Sequence, residues 1–281
     1  MKKILLILAV TGVSILNAQD YKALSEDEVL VIRNTDNNYN MRILKKDSTA
    51  LATGYYSAPF EKENSKISFY IAPNGKLNQT LKIENGSIFG TIPFKDNLAD
   101  GMLTAYKDGK LLMEAQFDNG VMKMSKKYKE DRRTEEIFSQ GKPVSEKVFE
   151  NDVLIYHTAV NNGKTLTKEY KNGKLISSYD QATETTLNYD EKGTLLRSII
   201  VAKNGDKTTK EFSISGKLTM QQDYSGATGD AMTRYYDING RLKETEEVTA
   251  IKVTHKNYDA KGKVIRTQSY DVLGPPTMKT D

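Results

Sequence analysis

The chain has 281 residues, with 41 Lys and Arg against 37 Asp and Glu, a formal charge of +4, and neither Cys nor Trp. The lack of Cys excludes disulfide staples and thiolate metal sites, so stability has to come from apolar burial and backbone hydrogen bonding. Both signs of charge are interspersed along the chain rather than gathered into a basic face, which argues against a nucleic-acid partner.

Residues 1–18 carry the pattern of a secretory signal: Lys2 and Lys3, an apolar stretch over residues 4–16, then the small Ala18 before Gln19. Cleavage is expected between Ala18 and Gln19, after which 39 basic residues would face 37 acidic ones. The apolar stretch is about thirteen residues long, short of the roughly twenty that cross a bilayer as a helix. No later segment is apolar enough to do so, so no transmembrane segment is expected after signal removal. The expected location is the periplasm, the outer surface or the medium.

Residues 19–66 read as an N-terminal β cap, with strands at 28–33 and 41–45 around a polar loop at 34–40. Terminal repeats are atypical because they have to cover an open sheet edge. Residues 67–272 read as a β-hairpin repeat domain. Asn-Gly stands at Asn74-Gly75, Asn85-Gly86, Asn119-Gly120, Asn162-Gly163, Asn172-Gly173, Asn204-Gly205 and Asn239-Gly240, and Asp-Gly at Asp100-Gly101 and Asp108-Gly109. These dipeptides tolerate the positive φ angles of type I′ hairpin turns. Their spacing defines a unit of about 22 residues, one hairpin made of two strands of roughly six residues each.

Two residues beyond the turn glycine the side chain is apolar at Leu77, Ile88, Leu111, Met122, Leu175, Leu195, Leu218, Leu242 and Val264, whereas Thr165 and Lys207 break the rule. Leu111, Met113, Ala115 and Phe117 alternate with Leu112, Glu114 and Gln116, the period of a strand with one buried face. An aromatic precedes many turns, as at Tyr106, Phe117, Phe149, Tyr170, Tyr189, Tyr236 and Tyr258, and cross-strand aromatic pairing is the expected reason. Residues 273–281 contain Pro275 and Pro276, which cannot continue a central strand, and are expected to form a C-terminal tail. The expected fold class is therefore all-β, an antiparallel β-hairpin repeat forming an extended twisted sheet or an open roll or solenoid.

Residues 101–120, from Gly101 through Tyr106, Asp108, Gly109 and Phe117 to Gly120, resemble a variant MORN repeat of the kind found in antitoxin-like bacterial proteins. The later units at Tyr189-Asp190, Tyr236-Asp237 and Tyr258-Asp259, each with a glycine three residues after the Asp, are similar to YD repeats of the Rhs type. Together the two resemblances cover about residues 67–271. They imply hairpins, and the first implies an immunity or antitoxin-like role.

Candidates for chemistry are few. The two histidines, His157 and His255, lie in strand-like segments of different repeats, where packing or surface roles are expected. Asp96 to Asp100 offer oxygen ligands without the alternating spacing of a calcium loop, so no metal is expected, and no cofactor motif occurs. Of the sixteen tyrosines, most belong to the hairpin motif, whereas Tyr55 and Tyr56 stand outside it and are the binding candidates. A membrane β-barrel needs strands of about nine to eleven residues with an apolar outer band, and these strands are shorter and carry Lys and Glu throughout. The sequence thus points to an exported, non-enzymatic β-repeat protein that acts as a protein-interaction or structural module of the cell envelope, with an envelope or secreted protein as partner. Two alternatives stand beside it: a periplasmic immunity or antitoxin-like protein, and a cryptic enzyme or binder acting on envelope carbohydrate.

Overall fold

A computed structural model describes residues 20–34, 39–60 and 64–272. The expected signal segment with its cleavage site at Ala18 and Gln19, and the expected tail at 273–281, lie outside the described residues. Among the described residues the fold is all-β, as the hairpin pattern predicts: 24 strands, one short 3-10 turn at Glu26–Glu28 and no α-helix. The ladders are antiparallel apart from one parallel pairing. The described chain divides into two compact units, one of residues up to 110 with 117–121, the other of 111–116 with 122 onward.

The N-terminal unit holds β1 (Lys22–Ala23), β2 (Val29–Asn34), β3 (Asn40–Lys45), β4 (Gly54–Phe60), β5 (Ser65–Ile71), β6 (Leu77–Asn85), β7 (Ile88–Lys95), β8 (Leu98–Ala99) and β9 (Gly101–Lys107). The expected cap strands and the hairpins up to residue 110 therefore share one unit. Period-two alternation sends Tyr56 and Ala58 of β4, Ile67, Phe69 and Ile71 of β5, Leu77 and Leu81 of β6, and Ile92 and Phe94 of β7 into the interior. Met41 and Ile43 of β3 are buried in the same unit. Burying a side chain such as Phe69 stabilises the fold by roughly 1.5–3 kcal/mol.

The C-terminal unit is built differently. After β10 (Lys110–Asp118), whose residues are divided between the units, come β11 (Val121–Lys129), β12 (Arg132–Ser139), β13 (Lys142–Glu150), β14 (Val153–Asn161), β15 (Lys164–Lys171), β16 (Lys174–Asp180) and β17 (Thr185–Tyr189). The series continues through β18 (Leu195–Val201), β19 (Lys207–Phe212), β20 (Leu218–Tyr224), β21 (Ala231–Tyr236), β22 (Leu242–Val248), β23 (Lys252–Tyr258) and β24 (Val264–Asp271). From β11 onward each strand pairs with the next, and β24 with β23 alone among the described residues, so the sheet of this unit is an open meander. Among the described residues its side chains stay part-exposed on both faces, as in a sheet of a single layer, and its extensive contacts join sequence neighbours only. Ala115 is its one fully buried aliphatic residue among those described; the other buried side chains are Ser125, Ser198, Thr209, Thr233 and Thr245. Small hydroxyl residues fill the strand centres because long neighbours lie across them. Ser125 donates to Glu136 at 2.8 Å, and Thr233 bonds Gln222 at 3.2 Å.

Two turn designs occupy different parts of the chain. Two-residue turns with positive φ at both positions occur at Asp108-Gly109, Asn119-Gly120, Gln140-Gly141, Asn151-Asp152, Asn162-Gly163 and Asn172-Gly173, the type I′ geometry. At Tyr189, Tyr236 and Tyr258 the loop is longer and the Asp after the tyrosine closes it: Asp237 Oδ1 accepts the N–H of Asn239 at 2.7 Å and of Arg241 at 2.9 Å. Asp190 and Asp259 do the same in their loops. These backbone bonds, led by the one from Thr194 and the one from Arg241 respectively, hold the carboxyls of Asp190 and Asp237 below their ordinary range. Asn74, Asn204 and Asn239 sit in such longer loops, and only the glycine after each has positive φ. Asp100-Gly101 is no hairpin turn, since Gly101 opens β9.

Tyr106 pairs with an aromatic across the ladder, Phe89, with ring centroids 6.5 Å apart, and Phe117 packs on Tyr39 at 5.5 Å, whereas from Phe149 onward the motif aromatics face aliphatic residues. Phe149 lies opposite Leu154, Tyr170 opposite Leu175, Tyr189 opposite Leu195, Tyr236 opposite Leu242 and Tyr258 opposite Val264. The aromatic before the turn and the apolar residue after it are thus two halves of one pair. A register shift follows each pair, so the strand after the turn carries one extra residue, a bulge that adds twist once per hairpin.

Candidate functional site

The two tyrosines singled out in the sequence are neighbours on β4 and therefore face opposite ways. Tyr56 is part of the core: it is 4% exposed, stacks on Phe69 with ring centroids 5.6 Å apart, and donates its hydroxyl to the Ala52 carbonyl at 2.8 Å. Tyr55 lies on the outer face of the sheet. It forms a row with Tyr21, the residue before β1, 5.8 Å away edge-on, and with Tyr70 of β5, 4.7 Å away and tilted. Its hydroxyl donates to Gln79 Oε1 at 3.1 Å. Gln79 sits in β6 with φ at 60°, beside the register shift between Ser68 and Tyr70, and that local irregularity aims its amide at the tyrosine row. Ser57 and Ser68, paired in the adjoining row of the same face, complete a surface of aromatic area with hydrogen-bonding rims. Such a surface can stack against a sugar ring or a partner side chain. Tyr21, Tyr70 and Gln79 were not legible as partners of Tyr55, because their meeting depends on register across three ladders.

The histidines lie apart. His157 on β14 stands directly opposite Lys147 of β13 and Lys168 of β15, and its Nε2 is 3.3 Å from Ser145 Oγ. Burial, and then the charges of Lys147 and Lys168, hold its pKa below the ordinary 6.5, so the ring is neutral at pH 7. His255 on β23 has Nδ1 at 3.5 Å from Glu244 and Nε2 at 3.6 Å from Glu246, and stacks on Tyr270 with centroids 5.9 Å apart. Neither has a nucleophile and an orienting acid in the geometry of a triad.

The Asp96 turn is occupied by the protein itself. Asp96 accepts the Asn74 amide at 2.9 Å and lies 3.9 Å from Lys76, while Asn97 Oδ1 takes the Leu77 N–H at 2.8 Å. Among the described residues no three His, Asp or Glu side chains converge as metal ligands. An open groove of about 390 Å³ in the C-terminal unit is lined by Asp206, Asp223, Tyr224, Asp230 and Glu247. Burial would raise the Asp223 carboxyl, but hydrogen bonds from Gln221, Arg234 and Thr208 outweigh it and hold the group below its ordinary range. This carboxylate is spent on tying three strands together.

No known protein family matches the chain, and no curated protein matches it. Among solved structures, a Photorhabdus luminescens Tc holotoxin pore is similar at 12% identity over 84% of this chain and 16% of that one, with a TM-score of 0.21. The chain therefore spans about a sixth of that toxin chain's length. A eukaryotic initiation factor is similar at 7% identity over 90% of this chain and 96% of the other, with a TM-score of 0.22. Likeness at this level carries no argument about fold or function.

Proposed function

We propose that the chain is an exported β-repeat protein that serves the cell envelope as a protein-interaction or structural module and has no catalytic activity of its own. The observation that carries this reading is the single-layer sheet of the C-terminal unit, in which both faces stay within reach of a partner. A sheet that covers neither face gives up burial energy and keeps contact area in exchange. Support for export comes from the Lys2-Lys3, apolar-stretch and Ala18 pattern. The test is to express the tagged chain, fractionate the cells and determine the N-terminus by mass spectrometry. Photo-crosslinkers at Tyr156 and Ile199, on strands of that sheet, then report partners. A processed N-terminus at Gln19 together with one stoichiometric crosslinked protein supports the reading; an unprocessed chain in the cytoplasm removes it.

The outer tyrosine row favours a second reading, carbohydrate binding at Tyr21, Tyr55 and Tyr70 with Gln79 as the polar contact. Screening the protein on an array of envelope glycans tests it: Tyr55→Ala should abolish any signal and leave the melting temperature nearly unchanged.

A further inference from the structure

On one face of the C-terminal unit, Lys147, His157 and Lys168 stand directly opposite one another on three consecutive strands. Strands lie about 4.8 Å apart, so the three basic groups form a line of roughly 10 Å across the strand direction. Like charges placed opposite each other in a sheet are destabilising. Glu135 of β12 stands opposite Lys147 at one end of the row, but no carboxylate stands opposite His157 or Lys168. Glu135 is shared with Arg133 at 3.1 Å and Lys126 at 3.9 Å, and Asp180 of β16 stands opposite Leu166 and accepts the Ala182 N–H at 2.8 Å. Glu146 and Glu169 sit on the neighbouring strands but alternate to the other face, opposite Thr158 and Tyr156. The hydroxyls of Ser145, beside the His157 ring, and of Ser178, opposite Lys168, flank the line.

We propose that this row binds a linear acidic polysaccharide, with carboxylates of successive sugars lying over Lys147, His157 and Lys168. The part-exposed row lets a chain lie across the strands, and a polyanion supplies the counter-charge that Lys168 and a protonated His157 lack opposite them. A peptide would need pockets for its side chains, and the grooves lined by Asp206 and Asp223 and by Ser213 and Tyr236 lie away from this row. Binding would favour the protonated ring of His157, because a carboxylate close by offsets the repulsion from the two lysines. Affinity should therefore rise as the pH falls through the pKa of His157. The proposal goes beyond the envelope-module reading and does not depend on export.

The chain holds only two histidines, so both rings can be followed by nuclear magnetic resonance, with His157→Gln to assign them. The probe is polygalacturonate, added to the chain from Gln19 onward, which retains every described residue. His157 should titrate at a higher pH with the polymer by about one unit, and His255 should move less. The double variant Lys147→Ala, Lys168→Ala should raise the pKa of His157 without ligand and abolish the response to polymer; Lys168→Gln alone does so partially and is the fallback if the double variant does not fold. An unmoved His157 at saturating polymer overturns the proposal. So does an equal response to inorganic phosphate or to poly-glutamate, which would assign the row to any anion or to an acidic protein.

Discussion

The two units reach stability by opposite routes. In the N-terminal unit alternating strands turn Phe69, Ile71, Leu77, Leu81 and Ile92 into a shared interior, and the opposite face carries Tyr55, Ser57, Ser68 and Tyr70. In the C-terminal unit the same alternation has no interior to point to, so half-buried Lys, Glu, Tyr and Leu cover small hydroxyl residues and every strand depends on its two neighbours. The comparison shows that a hairpin repeat specifies ladders and turns, while a core requires other strands to fold over the sheet.

The sharpest test of the contrast is truncation. Phe69→Ala should cost about 3–5 kcal/mol in urea unfolding, as for a fully enclosed aromatic. Leu166→Ala, at a half-exposed position in the middle of β15, should cost about 1–2 kcal/mol, since less of the side chain leaves water on folding. Equal losses would mean that the C-terminal sheet is covered after all.

A smaller effect is expected at the turns. Gly226 lies against the preceding loop so closely that an added Cβ would sit 2.5 Å from the Gly205 carbonyl carbon. Gly226→Ala should cost about 1–3 kcal/mol through forced backbone movement. Gly163→Ala has open space around it and φ at 73°, so its cost of about 1–2 kcal/mol comes from conformation alone. Thermal melts of both variants separate crowding from conformation. A harmless Gly226→Ala would show that these loops are not held against each other.

The smallest effect is electrostatic and follows from His157. Its folded pKa lies below the unfolded value near 6.5, so the neutral ring is the form that the fold favours. That contribution is complete above pH 6.5 and is lost as the pH falls through the folded pKa. Between pH 7.5 and pH 5, wild type should therefore lose more stability than His157→Gln, read from urea midpoints at each pH. Identical losses would mean that neither burial nor the lysine row disfavours the charged ring in the fold.

Much of the fold was legible in the order of residues. Asn-Gly and Asp-Gly spacing marked the hairpins, because only a few residue types tolerate positive φ at both turn positions, and the aromatic before each turn and the aliphatic after it are local neighbours. Less of the candidate surfaces was legible. Counting back from Asn162-Gly163 places His157 beside Lys168, but the shift at Phe149 is what sets Lys147 rather than its neighbour opposite the histidine. Tyr55 and Tyr56 looked alike as a pair, and the structure divides them, one into the core beside Phe69 and one into the outer row with Tyr21 and Tyr70.

Local chemistry by itself determined the strand class, the turn positions and the repeat, since backbone torsion and side-chain alternation act over a few residues. Only the tertiary structure decided which hairpins share a core and which remain a single layer, and which side chains meet across the sheet. Those outcomes depend on register, and a one-residue bulge moves every later side chain on its strand to a new partner.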